Sequence, residues 1–143
     1  MRSQNNIVIS STDRDRLLKL VESARLDRRI ALEYIEALER ELLRATISAP
    51  EEMPRNVVSL NSTVWLRDLD SEEIERYTLV LPHEADVVRQ RISVLAPVGT
   101  AILGYRLRDV IEWPVPRGKS RLEIVKVSPA SVDSEAEPEE LLV

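Results

Sequence analysis

Residues 51–127 read EEMPRNVVSLNSTVWLRDLDSEEIERYTLVLPHEADVVRQRISVLAPVGTAILGYRLRDVIEWPVPRGKSRLEIVKV, and the period of their apolar positions decides the fold. Alternation is clearest at Tyr77, Leu79 and Leu81 and again at Ile111, Trp113 and Val115. A period of two turns one side of a strand toward a core. The same reading predicts strands over 57–60, 64–69, 74–81, 91–95, 110–115 and 121–127. Pro97-Val-Gly-Thr-Ala-Ile-Leu-Gly104 has proline where a first helical turn begins and glycine just past its end, so it predicts one short helix over a bent sheet. Pro116-Arg117-Gly118 supplies a turn between the last two strands.

Upstream the period lengthens. Thr12 to Asp15 has the spacing of a capping box, and Leu17, Leu20, Val21 and Ala24 follow at helical intervals. A second helix is expected from about residue 28 to 47, its seam Ala31, Ile35, Leu38, Leu42 and Ala45 stepping by four and three. Glu36 and Arg40 form an i,i+4 pair on its outer side. Neither stripe can be buried alone, so the two helices predict an antiparallel hairpin turning near Arg25–Asp27, with a longer arm of about 30 Å. Pro50 and Pro54 end the helical region. The expected organisation is therefore a helical hairpin at 1–49, a linker at 50–56, a β domain at 57–127 and an acidic, disordered tail at 128–143.

Composition narrows the chemistry. Charged residues at 31% and hydrophobic ones at 43% describe a soluble globular chain. The N-terminal MRSQNN is not followed by the apolar stretch of a signal peptide and no run spans a bilayer, so a cytoplasmic location is expected. Cysteine is absent, which excludes disulfides, thiolate catalysis and Cys-based zinc sites. His83 is the lone histidine, expected in a surface loop, and three glycines form neither a P-loop nor a dinucleotide fingerprint. The expectation is no enzyme, no cofactor and no metal. The tail holds Asp133, Glu135, Glu137, Glu139 and Glu140 and no base, so the net charge of -5 belongs to it and the remainder sums to zero. A neutral body carries no footprint for direct nucleic-acid binding.

The runs Y-T-L-V-x-P-x-E-A-D, I-S-V-x-x-P-V-G-T-A-x-L-G and E-W-P-V-P-x-G resemble the C-terminal domain of the bacterial Gre transcript-cleavage factors. The E-E-M-P-x-x-V-V-x-x-N-S-x-V start is similar to the branch called regulator of nucleoside diphosphate kinase. The resemblance implies an α+β fold, a short N-terminal antiparallel helical hairpin followed by an FKBP-like antiparallel β domain with one short helix. It also implies a protein that docks on RNA polymerase, in the secondary channel that Gre hairpins enter.

Within that family, acidic residues at the hairpin tip help hold a catalytic magnesium. The nearest segment here is SARLDRRIALEY, Ser23–Tyr34, which offers Asp27 for the aspartate and Glu33-Tyr34 for the E-Y pair but lacks the glycine, glutamate and asparagine of G-D-x-x-E-N-A-E-Y. Arg25, Arg28 and Arg29 surround Asp27, so residues 22–29 sum to +1 and compete with a cation for its carboxylate. Asp27 is read as a helix cap, with Arg28 and Arg29 pairing with Glu22 or Glu33 or meeting a partner. The family's docking loop falls on Ile92, Ser93, Leu95, Ala96 and Pro97, with Ala96 in place of a serine. Glu84 and Asp86 match its E-A-D, and Arg108 stands where it has glycine, so φ there is expected to be negative or strained. An isomerase pocket would need more aromatic residues than Trp65, Tyr77, Tyr105 and Trp113, the last expected in the core.

These readings predict a monomeric, non-catalytic regulator that binds RNA polymerase near the secondary channel and competes with Gre-type factors. The alternatives are a cleavage factor using Asp27, or a module that self-associates through the Ala31, Ile35, Leu38, Leu42 seam.

Overall fold

A computed structural model describes residues 6–116 and 118–130, with the side chains of 113–115 outside that description. The expectations for Trp113, for Arg117 and for the tail from Ser131 onward therefore lie outside the described residues.

The chain is α+β. Strand β1 (Val8–Ser10) leads directly into α1 (Ser11–Ala24); α2 (Leu32–Arg44) returns antiparallel to it and ends in β2 (Thr46–Ser48). Strands β3 (Thr63–Asp68), β4 (Ile74–Val80) and β5 (Arg91–Ser93) precede the short helix α3 (Pro97–Ile102), followed by β6 (Val110–Val115) and β7 (Gly118–Ser128). One sheet has the order β5-β4-β3-β7-β6, antiparallel except at its edge, where β4 and β5 run parallel. A register shift between Trp65 and Leu66 against β7 bends it.

Four local expectations are corrected. The cap of α1 is Ser10, whose Oγ accepts the Asp13 N–H at 3.0 Å, not Thr12. The same S-x-x-D spacing begins two residues earlier because β1 delivers the chain into the helix at Ser10. Helix α2 starts at Leu32 rather than near residue 28, because Asp27–Ile30 closes a separate turn that folds Ile30 onto the core. Its 13 residues make an arm of about 20 Å, not 30. Residues 57–60 form no strand: Val57 makes an isolated bridge to Arg106, and Val58 pairs with the backbone of Gly104 and Tyr105. The two three-residue strands β1 and β2 were not foreseen; they pair in parallel and fasten the base of the hairpin.

A single core joins hairpin and sheet. Leu17, Val21 and Ala24 of α1 meet Ile35, Leu38 and Leu42 of α2, and this cluster continues into Ile7, Ile9, Val58, Leu60, Ile102, Leu103 and Tyr105. Ala31, expected to open the seam, is the exposed N-cap of α2. Val8 N–H donates to Gly104 O at 3.1 Å, and Leu60 N–H donates to Asp13 Oδ2 at 3.0 Å. The hairpin is thus built into the body of the domain.

Asp13 is buried, and desolvation pushes its carboxyl above 3.8 despite the Leu60 N–H and nearby Arg16, which act the other way. A raised folded value means the native state holds this proton more tightly than the unfolded chain. The group's contribution is complete below the unfolded value and is lost as pH rises through the folded one. Asp13→Asn keeps an acceptor for Leu60 and removes the buried charge, so its stability relative to wild type should improve from pH 3 to pH 7. Asp13→Ala orphans the Leu60 N–H and should cost about 2 kcal/mol at neutral pH. Thermal midpoints of both variants across that pH range check the pair of outcomes.

Candidate docking surfaces

The hairpin tip is the first candidate. Asp27 lies between the helices and caps neither, contrary to the sequence expectation. Its Oδ1 accepts the N–H and Nε–H of Arg29, and its Oδ2 accepts Nη2–H, all at 3.0 Å. The Arg29 side-chain bonds, then its backbone N–H, hold the Asp27 carboxyl below its usual range. Arg29 pairs here rather than with Glu22 or Glu33. Arg25 pairs with Glu39 across the hairpin, and Arg28 projects into solvent. The one carboxylate at the turn is already engaged by a guanidinium, and among the described residues no group of three metal-ligating side chains occurs. Magnesium needs several oxygen ligands in near-octahedral geometry. The tip presents cations instead.

The loop from Ile92 to Pro97 is the second. Ser93 ends β5 and its Oγ accepts the Leu95 N–H at 2.9 Å, while its carbonyl accepts the Ala96 N–H at 3.0 Å. Ala96 caps α3 with no side-chain bond, and Pro97 fills the first helical position, where a missing N–H costs nothing. Thr100 ties the helix back through a 2.6 Å bond from its hydroxyl to Val94 O. Leu95 is buried, Ile92, Ser93 and Ala96 are half-buried, and Pro97 is exposed. Ser93 and Leu95 therefore shape the loop, and Pro97 is the residue of the five that it leaves in solvent.

Gly99 is the residue that sequence reading missed. A β-carbon there would lie 2.0 Å from Ser93 O and 3.1 Å from Val94 Cα. The helix can turn over the loop only because Gly99 has no side chain. Glu84 is exposed in a 3-10 turn, Pro82–Glu84, beside the exposed His83. Asp86 is half-buried, and its Oδ1 accepts the Val88 and Arg89 N–H groups at 3.0 and 3.3 Å. Arg108 has φ +78, so of the two expected alternatives the strained one holds.

A cleft of about 200 Å³ lies where Val98 of α3 faces the sheet, with Leu66, Leu122 and Tyr77 inside and Asp68, Glu73 and Glu75 at its lining. Tyr77 donates to Glu75 at 2.5 Å, and this bond pushes its phenol up to about 12. Tyr77 is the one aromatic side chain among the described residues that line it. Tyr105 is fully buried, and Trp65 stacks beneath Lys126, whose Nζ is 4.7 Å from the ring centroid. No aromatic cage for a prolyl ring results from these residues.

Residues 53–129 match the family described as transcription elongation factor, GreA/GreB, C-term, and residues 5–47 match the Rnk N-terminus. The regulator of nucleoside diphosphate kinase from Escherichia coli K12 is 38% identical over 126 residues, spanning 87% of this chain and 90% of its own. The chain belongs to the Rnk branch of the GreA/GreB family. A structure described as prokaryotic transcription elongation factor GreA/GreB from Nitrosomonas europaea shares this fold with a TM-score of 0.71 and 42% identity, over 88% of this chain and all of that one. GreA of Alkaliphilus oremlandii is 39% identical over 94 residues, which are 66% of this chain but 59% of that protein.

Proposed function

We propose that this Rnk-family protein binds bacterial RNA polymerase near its secondary channel and acts without catalysis, by excluding Gre-type factors. The globular domain supplies affinity through the Ile92–Pro97 loop, and the hairpin occupies the channel entrance. The observation that supports its non-catalytic part is the engagement of Asp27, the carboxylate of the turn itself, by Arg29. An arm of about 20 Å gives the tip a short reach. Exclusion needs only shared surface, so it survives both departures. Polymerase binding places the protein in the cytoplasm, and among the described residues no helix is long and apolar enough to cross a membrane. The protein acts as a monomer, because the Ile35, Leu38 and Leu42 seam is consumed within the chain.

Binding to core polymerase, with GreA as competitor, tests the reading. Pro97→Asp keeps a residue suited to a first helical turn and should weaken binding at least tenfold with little change in thermal midpoint. Asp27→Asn should leave competition unaltered. Transcript cleavage that wild type stimulates and Asp27→Asn abolishes would overturn the non-catalytic account, and unchanged affinity of Pro97→Asp would remove the docking assignment.

A further inference from the structure

Val87 and Val88 are 93% and 90% exposed, side by side at the tip of the loop between the Pro82–Glu84 turn and β5. Single exposed valines are ordinary. Here two adjacent ones stand on a loop that is fixed from several directions. Asp86 and Arg91 exchange backbone hydrogen bonds at 3.0 and 2.8 Å, and the Asp86 carboxylate accepts from Val88 and Arg89. Gln90 sits in the left-handed region at φ +59, donates its N–H to Val87 O, accepts Thr78 N–H, and takes a 3.2 Å bond from Arg76 on its side-chain oxygen. A rigid loop holds both side chains in solvent, so little conformational entropy would be lost when they are covered.

The surroundings specify what covers them. Arg76, Arg89 and Arg91 are exposed around the pair. Arg76 bonds only the neutral Gln90 among the described residues, and Arg89 reaches Asp86 at a loose 3.8 Å. No described side chain pairs with Arg91. Of the nearby acids, Asp86 is engaged by the loop and Glu75 by Tyr77, which leaves the exposed Glu84 at the start of the loop against three arginines. The patch is an apolar knob with a basic rim. It is also continuous with the Pro97 loop, for Arg91 begins the three-residue strand β5 that runs into it, a span of about 10 Å.

We infer that Val87 and Val88 form a second anchor on the same polymerase surface that the Ile92–Pro97 loop engages, inserting into an apolar hollow rimmed by carboxylates. The inference rests on the polymerase-docking reading and gives that surface its chemistry. A few central residues shielded from water carry most of the energy of an interface, a place that two adjacent valines on a fixed loop can fill together, while rim charges act on association rate and salt dependence.

The experiment compares wild type, the double variant Val87→Ser/Val88→Ser, Arg91→Glu and Pro97→Asp for binding to core polymerase at low and high salt. The serine pair should lose about tenfold in affinity at both salt concentrations, with an unchanged thermal midpoint because both positions are solvent-exposed. Arg91→Glu should lose more at low salt than at high salt. If the serine pair binds as wild type while Pro97→Asp does not, the second anchor is overturned and the docking reading stands. If an Arg91→Glu deficit is absent at low salt, the carboxylate rim is wrong. Failure of wild type to bind overturns both readings together.

Discussion

Gly99→Ala should be the most damaging conservative substitution in the globular domain, costing about 3 kcal/mol, at the upper end for overpacking a close contact. The β-carbon would stand 2.0 Å from Ser93 O, and its next neighbours are Ser93 C and Val94 Cα, so every atom in its way is backbone. No rotamer change relieves that. The turn from β5 into α3 must open, which pulls apart the Thr100-to-Val94 bond and the Ala96-to-Ser93 bond that define the loop. Against the roughly 5–15 kcal/mol that holds a domain together, such a loss should lower the thermal midpoint by about 10 °C. On the proposed docking through the Ile92–Pro97 loop, polymerase affinity should fall with it, even at temperatures where the variant remains folded, because Pro97 moves with the opened turn. Chemical denaturation and a binding titration at 10 °C separate the two effects. A stability change below about 1 kcal/mol would show that the turn yields easily, contrary to the packing seen here.

Much of this was readable from sequence, for physical reasons that differ by element. The strands β3, β4, β6 and β7 show because a half-buried strand must alternate, and the hairpin shows because neither stripe can be buried alone. Pro97 marks the start of α3 through a rule of backbone chemistry. Strands β1 and β2 leave no such mark: three residues are too few for a period, and their pairing is set by a fold that brings Ile7 beside Gly104. The tip was legible only as composition. That Asp27 is closed by Arg29 rather than capping α2 depends on where the chain turns between residues 27 and 31, which no periodicity records. The exposure of Val87 and Val88 left no mark either, since they fall before the strand expected from Arg91 and exposure in a loop has no period. The Arg108 φ of +78 departs from local preference, and its N–H donates to Ile124 O at 2.7 Å, so tertiary pairing holds the turn in place.

The second large effect is expected where hairpin meets body. Arg44, near the end of α2, donates through Nε to Glu41 Oε1 at 3.1 Å and through Nη2 to the Tyr105 hydroxyl at 2.6 Å. Its guanidinium carbon also lies 5.8 Å from the Tyr105 ring centroid. Glu41 is buried and Tyr105 is fully enclosed, so both polar groups lean on one arginine for part of their solvation. Arg44→Ala removes it from both at once. Breaking a fully buried charge pair costs about 3–5 kcal/mol, but the Arg44 side chain is 38% exposed and water can partly replace it, so about 2 kcal/mol is expected. Part of that cost is the loss of a cation beside the buried charge of Glu41, so adding Glu41→Gln to Arg44→Ala should recover some of the loss. Urea midpoints of the single and double variants measure this coupling. A single-variant loss below 0.5 kcal/mol, or no recovery in the double, would refute it. The functional consequence follows from geometry: Arg44 and Tyr105 hold α2 against the same body that carries the Pro97 loop. On the proposed docking, a loosened joint should make the hairpin compete less effectively with GreA than the loop's affinity alone would allow, since tip and loop would no longer be presented in one fixed arrangement.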